Sequence, residues 1–182
     1  NLYAYAGSNP ISFSDPFGLA ACPKDVGGDG KTATVDDCSE TIQTEWAKTH
    51  IVVNEATDWK DVDAVLKSAV IRTSMDLRKT LYVYAGKEPG HSVEGRHAEG
   101  GAVDISRIDG VKFSLMDDAS AAALGNAIGA GIANRLPFGQ VKMVFTPGMA
   151  FRFDRPMSLE QNRALIGAHR DHVHVSVIGS TP

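Results

Sequence analysis

The chain has 182 residues, 43% hydrophobic and 22% charged, with a formal net charge of -4 and no block of Lys or Arg. That length suits one domain with a single buried core, and the acidic balance without a basic cluster argues against a nucleic-acid partner. No run nears the ~20 apolar residues of a membrane span, and no charged start followed by an apolar core reads as a signal peptide, so membrane insertion is not expected.

In chain order, residues 1–20 are turn chemistry around short apolar runs, with Ser-Asn-Pro and Asp-Pro-Phe-Gly following alternating Leu and Tyr. They read as a hairpin or an extended arm. A chain that begins at Asn1 with such a segment is expected to be the C-terminal piece of a longer protein. Cys22 and Cys38 then enclose a Gly- and Asp-rich segment. In an oxidising compartment a disulfide there would stabilise by ~3 kcal/mol; two free thiols are the alternative. Gly30-Lys31-Thr32 lacks the upstream glycine of a phosphate-binding loop, since Asp25 stands in its place, and reads as a polar turn.

Helical spacing of Trp59, Val62, Val65, Leu66, Val70, Ile71 and Met75 predicts an amphipathic helix, with Thr57 or Asp58 as its cap. "LYVYAG" alternates and predicts a strand ending at Gly86, and "KEPGHSVEG" a loop. A small-residue helix is expected from about Asp118 to Leu136, its glycines allowing close packing on a sheet and Asn126 and Asn134 interrupting any membrane-type glycine stripe. "QVKMVFTPG" and "AFRF" predict strands, "SLEQNRALIGA" a short helix and "HVHVSVI" a last strand. The order implies an α+β fold, a small mostly antiparallel sheet flanked by helices.

Of six histidines, four fall in two short motifs: His97 in "HAEGGAVD" and His169, His172 and His174 in "HRDHVHV". Two imidazoles and a carboxylate are what a zinc site needs when one position stays open for water. His97 and Asp104 lie seven positions apart, on opposite sides of an ideal strand, so they share an ion only if Gly100 and Gly101 turn the chain. Strand alternation in "HVHVSV" sends His172 and His174 to one face and Val173, Val175 and Val177 to the core. His50 and His91 read as ordinary structural or surface residues, and Arg107 and Arg170 as solvated charges or local ion pairs.

Two resemblances follow. Asn1, Tyr3, Tyr5, Asn9-Pro10 and Asp15-Pro16-Phe17-Gly18-Leu19 resemble the closing segment of the RHS repeat-associated core. That resemblance implies a division into 1–20, the end of the core with a cleavage point near Leu19, and 21–182, a toxin domain. It also implies a parent Rhs cage, delivery by a secretion apparatus such as type VI, and a cognate immunity protein. The pattern H-x-x-G-x-A-x-D at His97, Gly100, Ala102 and Asp104, with H-x-H about 65 residues later, is similar to the D-Ala-D-Ala carboxypeptidase group of zinc peptidases, within the lysostaphin, D-Ala-D-Ala peptidase and hedgehog superfamily. The similarity covers roughly residues 80–178 and implies a hedgehog-like fold.

It implies His97, Asp104 and His174 as zinc ligands, with the catalytic base at Asp171, or at His172 two positions before the last ligand. Asp171 is taken as the base, His172 as the stabiliser of the tetrahedral oxyanion, and His169 as a hydrogen-bonding partner that orients one of them. Gly95 replaces the serine many members carry two positions before the first ligand. No Tyr-Arg ends the upstream strand, which leaves Lys87 or Arg96 to meet a substrate carboxylate. The expected activity is zinc-dependent hydrolysis of peptidoglycan stem peptides, as carboxypeptidase or endopeptidase, in the periplasm of a target bacterium. A metal-dependent nuclease toxin and a zinc-bearing module without turnover are the alternatives.

Overall fold

The computed structural model describes residues 40–54, 59–85 and 96–178. Residues 1–20, Cys22, Cys38, the Gly30–Thr32 turn, Thr57, Asp58, Lys87, His91 and Gly95 lie outside that range.

The described residues form an α+β domain of four helices and a mixed seven-stranded sheet. Helix α1 (Glu40–His50) leads into β1 (Ile51–Val53); α2 (Ala64–Leu77) precedes β2 (Leu81–Ala85), β3 (Ala102–Ile108) and β4 (Val111–Lys112). Helix α3 (Asp118–Ala133) is followed by β5 (Val141–Phe145), β6 (Ala150–Arg152), α4 (Leu159–Ala168) and β7 (Val173–Val177). The sheet order is β1-β2-β3-β7-β5-β6, with β4 paired to the end of β3, and only β1 and β2 run parallel. Among the described residues no helix is long and apolar enough to cross a membrane.

Helix α2 starts later than its apolar spacing predicts. Trp59–Asp61 forms a separate short 3-10 turn, and the cap is Asp63, whose Oδ1 accepts the Val65 and Leu66 N–H groups. Its inward face, Leu66, Ala69 and Val70, is fully buried against the sheet. Helix α1 was not legible in advance. Its sequence is mostly polar, and its chief tie is Trp46, which donates from Nε1 to Ser74 Oγ at 2.9 Å. His50 stacks on Trp46 at 3.6 Å, a structural role.

Helix α3 matches the expected span to within a turn, capped by Asp117. Its glycines do the packing anticipated: a Cβ on Gly125 would stand 2.6 Å from Pro147, and one on Gly129 2.8 Å from Thr146. The helix thereby sits close enough to bury Ile128 and Ile132 completely.

Strand β7 divides the sheet into two faces. Val173, Val175 and Val177 enter the main core with Leu66, Val70, Ile128 and Ile132. His174 and Ser176 alternate to the other face, where Met143, Phe145 and Ala150 pack beneath Leu165 and Ile166 of α4. Asp104, paired with His174 across the β3–β7 ladder, brings the candidate site residues to this second face.

The β3–β4 hairpin turns on Asp109 and Gly110, both at positive φ (50° and 84°), the geometry favoured by two-residue hairpins. Asp109 accepts from Lys79 Nζ at 2.7 Å and from the Thr80 N–H at 2.8 Å. Partial burial raises its pKa, but the bonds from Lys79 and Thr80 outweigh it and hold the carboxyl below its usual range. A depressed carboxylate contributes stability above its unfolded pKa and loses it as pH falls through the folded one. Asp109→Asn keeps the turn and removes the charge. It is expected to cost about 0.5 kcal/mol at pH 7, an exposed ion pair's worth, and urea unfolding should show the difference shrinking as acid protonates Asp109 in the folded state.

Candidate metal centre

His97 opens a 3-10 turn (His97–Glu99) held between two left-handed residues, Arg96 at φ 62° and Gly100 at φ 72°. The Gly100 N–H donates to the His97 carbonyl at 3.0 Å and the Gly101 N–H to the Arg96 carbonyl at 2.9 Å. This tight loop is pressed against the start of α2. The Gly100 carbonyl accepts the Asp63 N–H at 2.9 Å, and a Cβ on Gly100 would lie 2.1 Å from the Asp61 carbonyl oxygen. Only glycine fits there, in conformation and in space. The chain then enters β3 at Ala102, so the Gly pair supplies the turn that lets His97 and Asp104 converge.

The β3–β7 register sets Asp104 directly opposite His174. Facing residues of an antiparallel pair hold their Cβ atoms about 5 Å apart. His174 Nδ1 stands 2.8 Å from Asp104 Oδ1, His97 Nε2 3.4 Å from Asp104 Oδ2, and the two imidazole nitrogens 3.3 Å from each other. All three residues are buried, His97 at 4%, His174 at 5% and Asp104 at 8% exposure. Burial raises the Asp104 pKa, but the hydrogen bond from His174 and the neighbouring His97 and His172 more than reverse this and keep it below the usual carboxylate value. An ionised carboxylate only accepts, so His174 Nδ1 carries the proton that joins them.

These donor atoms lie within 4.8 Å of one another and could hold a metal ion. The set is two imidazoles and one carboxylate, as a three-ligand zinc site requires. His174 Nε2, on the other side of the same ring, is buried with no hydrogen-bond partner.

Aromatic and imidazole rings cluster around the centre. Phe145, opposite His174 in the β5–β7 register, lies over it at 5.7 Å between centroids. His169 sits 4.7 Å from Phe145, 4.8 Å from His172 and 5.9 Å from His174. Its side chain does not hydrogen-bond to Asp171 or His172 as expected: its Nδ1 donates to the Leu165 carbonyl at 2.8 Å at the end of α4, and the ring meets its neighbours by packing. Burial, with His172 and His174 beside it, lowers the His169 pKa, so the ring stays neutral.

His172 is not part of the last strand, since β7 begins at Val173; it stands just before it, a quarter exposed. Its Nδ1 donates to Asp171 Oδ1 at 2.7 Å, and Asp171 is itself 58% exposed. Arg96 is engaged with Glu99 at 2.9 Å rather than held ready for a ligand. Arg107 lies over the Tyr82 ring.

No family model matches the chain. No curated protein matches it.

Phe145 and Ser176 were not singled out from the sequence. Phe145 is one of several apolar residues in "VKMVF", and only the register shows which faces His174. Ser176 has a signal that alternation alone gives: it shares the face of His174 on a strand whose other face is valine.

Proposed function

We propose that the domain is a zinc-dependent peptidase acting on peptidoglycan stem peptides, the toxin tip of an Rhs-type antibacterial effector. The observation that carries this reading is the convergence of His97, Asp104 and His174 on one buried point, from segments 70 residues apart in the chain. The resemblance of the same residues to the D-Ala-D-Ala carboxypeptidase pattern supplies the substrate class, and the Rhs-like segment at 1–20 supplies delivery, the immunity partner and action in the periplasm.

In this reading His97 Nε2, the Asp104 carboxylate and His174 Nδ1 hold the zinc. Zinc in such a site acts as a Lewis acid that polarises a carbonyl and acidifies a water. The chain's own residues handle the proton. Asp171 accepts the His172 Nδ1–H, which fixes the tautomer and leaves Nε2 as a lone pair. His172 is thus the proton acceptor and Asp171 its orienting partner, a division of labour the hydrogen bond supports better than an isolated Asp171 base. Neutral His169 and Phe145 wall the site and hold the His174 ring in place.

The test is digestion of purified sacculi with the wild-type domain and with His174→Ala, the fragments being identified by mass. The proposal expects new free ends in stem or cross-link peptides from the wild type and none from the variant. Equal release by both, or nicking of plasmid DNA in place of wall cleavage, would overturn it.

A further inference from the structure

Metal binding at this centre creates a proton problem, which the reading above leaves open and on which the following rests. Without an ion, the Nδ1 proton of His174 is shared with Asp104 at 2.8 Å. For Nδ1 to ligate, that proton must leave, and a neutral imidazole then carries its hydrogen on Nε2. Nε2 is buried and has no partner. A buried N–H without an acceptor has lost its water and gained nothing in return, which weakens the affinity for the ion.

One other buried polar atom on the same strand is equally unpartnered: Ser176 Oγ, on a residue of 0% exposure. Ser176 is two positions after His174, so both side chains rise from the same face of β7, their Cα atoms about 7 Å apart. Its register partners are Ala102 and Met143, neither of which offers a side-chain donor or acceptor suited to a hydroxyl. A serine enclosed by apolar side chains without a bond is a cost to the fold unless something uses it.

We propose that Ser176 is a positioning residue for the metal centre. Its hydroxyl is the acceptor for the Nε2–H that metal-bound His174 would carry, and so stabilises the tautomer that presents Nδ1 to the ion. The competing acceptor is His169, whose Nδ1 donates to the Leu165 carbonyl and whose Nε2 is therefore a lone pair. His169 is half-buried and its ring centroid is 5.9 Å from that of His174, so its lone pair reaches solvent without this contact. Ser176 Oγ has no such alternative.

The experiment is a zinc titration against a chromophoric chelator on wild type, Ser176→Ala, Ser176→Thr and His169→Phe. Nitrogen-15 spectra of the wild type, taken before and after zinc, would report the tautomer of His174. The expected result is a zinc affinity about tenfold weaker in Ser176→Ala, the low end of what outer partners of metal-bound histidines contribute. Ser176→Thr, which keeps the hydroxyl, should bind within about twofold of wild type, on the same reasoning. The His174 signal should move from protonated Nδ1 to protonated Nε2 on zinc addition. Metal-free Ser176→Ala should be no less stable than wild type, since it loses an unbonded buried hydroxyl. Unchanged affinity in Ser176→Ala, or a loss confined to His169→Phe, overturns the proposal. So does a loaded His174 with its proton on Nδ1. A wild type that binds zinc but cleaves no wall peptide refutes the peptidase reading and leaves this assignment standing, whereas a wild type that binds no zinc removes both.

Discussion

Asp104→Asn is expected to leave a folded protein that no longer retains zinc. The amide oxygen can still accept from His174 Nδ1, so the β3–β7 pairing survives, but the negative charge between the imidazoles is gone. A charge-assisted bond becomes an ordinary one at the 2.8 Å contact, with a stability loss of about 1 kcal/mol in the metal-free state. The effect on the ion is far larger. Losing an outer partner of a ligand weakens binding by about 10–100-fold, and here a ligand itself is replaced by a neutral amide, so the loss should exceed about 100-fold. Chelator competition measures the affinity and urea unfolding the stability. Zinc bound as tightly by Asp104→Asn as by the wild type would show that the carboxylate is a structural partner of the histidines only.

The second large effect belongs to a residue that carries no chemistry. Gly100→Ala places a Cβ 2.1 Å from the Asp61 carbonyl oxygen, at a backbone φ of +72°. The left-handed conformation costs an alanine about 1–2 kcal/mol, and the contact with rigid backbone adds to it, for a total of about 3 kcal/mol or more. Gly139→Ala is the internal control: φ is +82° there and nothing lies within 4 Å, so only the conformational cost of about 1 kcal/mol applies. The two differ in a further way. Gly100 ties the His97 turn to the start of α2 through its carbonyl, so its displacement moves His97 and weakens zinc binding, while Gly139→Ala leaves the affinity unchanged. Equal urea midpoints for the two variants would contradict this reading of the turn.

How much of this was legible in the sequence depends on the range over which each signal acts. Alternation in "HVHVSV" and the Gly pair before Asp104 are local patterns, and they gave the core face of β7 and the convergence of His97, Asp104 and His174. His172 stands just before that ladder, since pairing with β3 begins at Val173 and with β5 at His174, so strand alternation does not by itself set its direction. The cap of α2 was misplaced because the apolar spacing runs on through Trp59 and Val62, whereas Asp63 takes the exposed N–H groups and starts the helix there. Helix α1 is mostly polar and is tied down by tertiary contacts, among them Trp46 to Ser74 and Ser68 to Gln43, which no local pattern shows. The Asp109-Gly110 turn was readable and passed over, a two-residue hairpin signal in a stretch dominated by the motif before it. Phe145 over His174 and Gly100 against Asp61 are facts of register and packing, set by residues far away in the chain, and no local pattern carries them.

Zinc content is the most direct test of the central claim. Protein prepared without chelator and dialysed against metal-free buffer should carry one zinc per chain by elemental analysis, and His97→Ala and His174→Ala prepared alongside it should carry none. A wild-type protein with no stoichiometric metal, folded and with its histidines intact, would mean that the buried cluster is an internal hydrogen-bond network and not a metal centre.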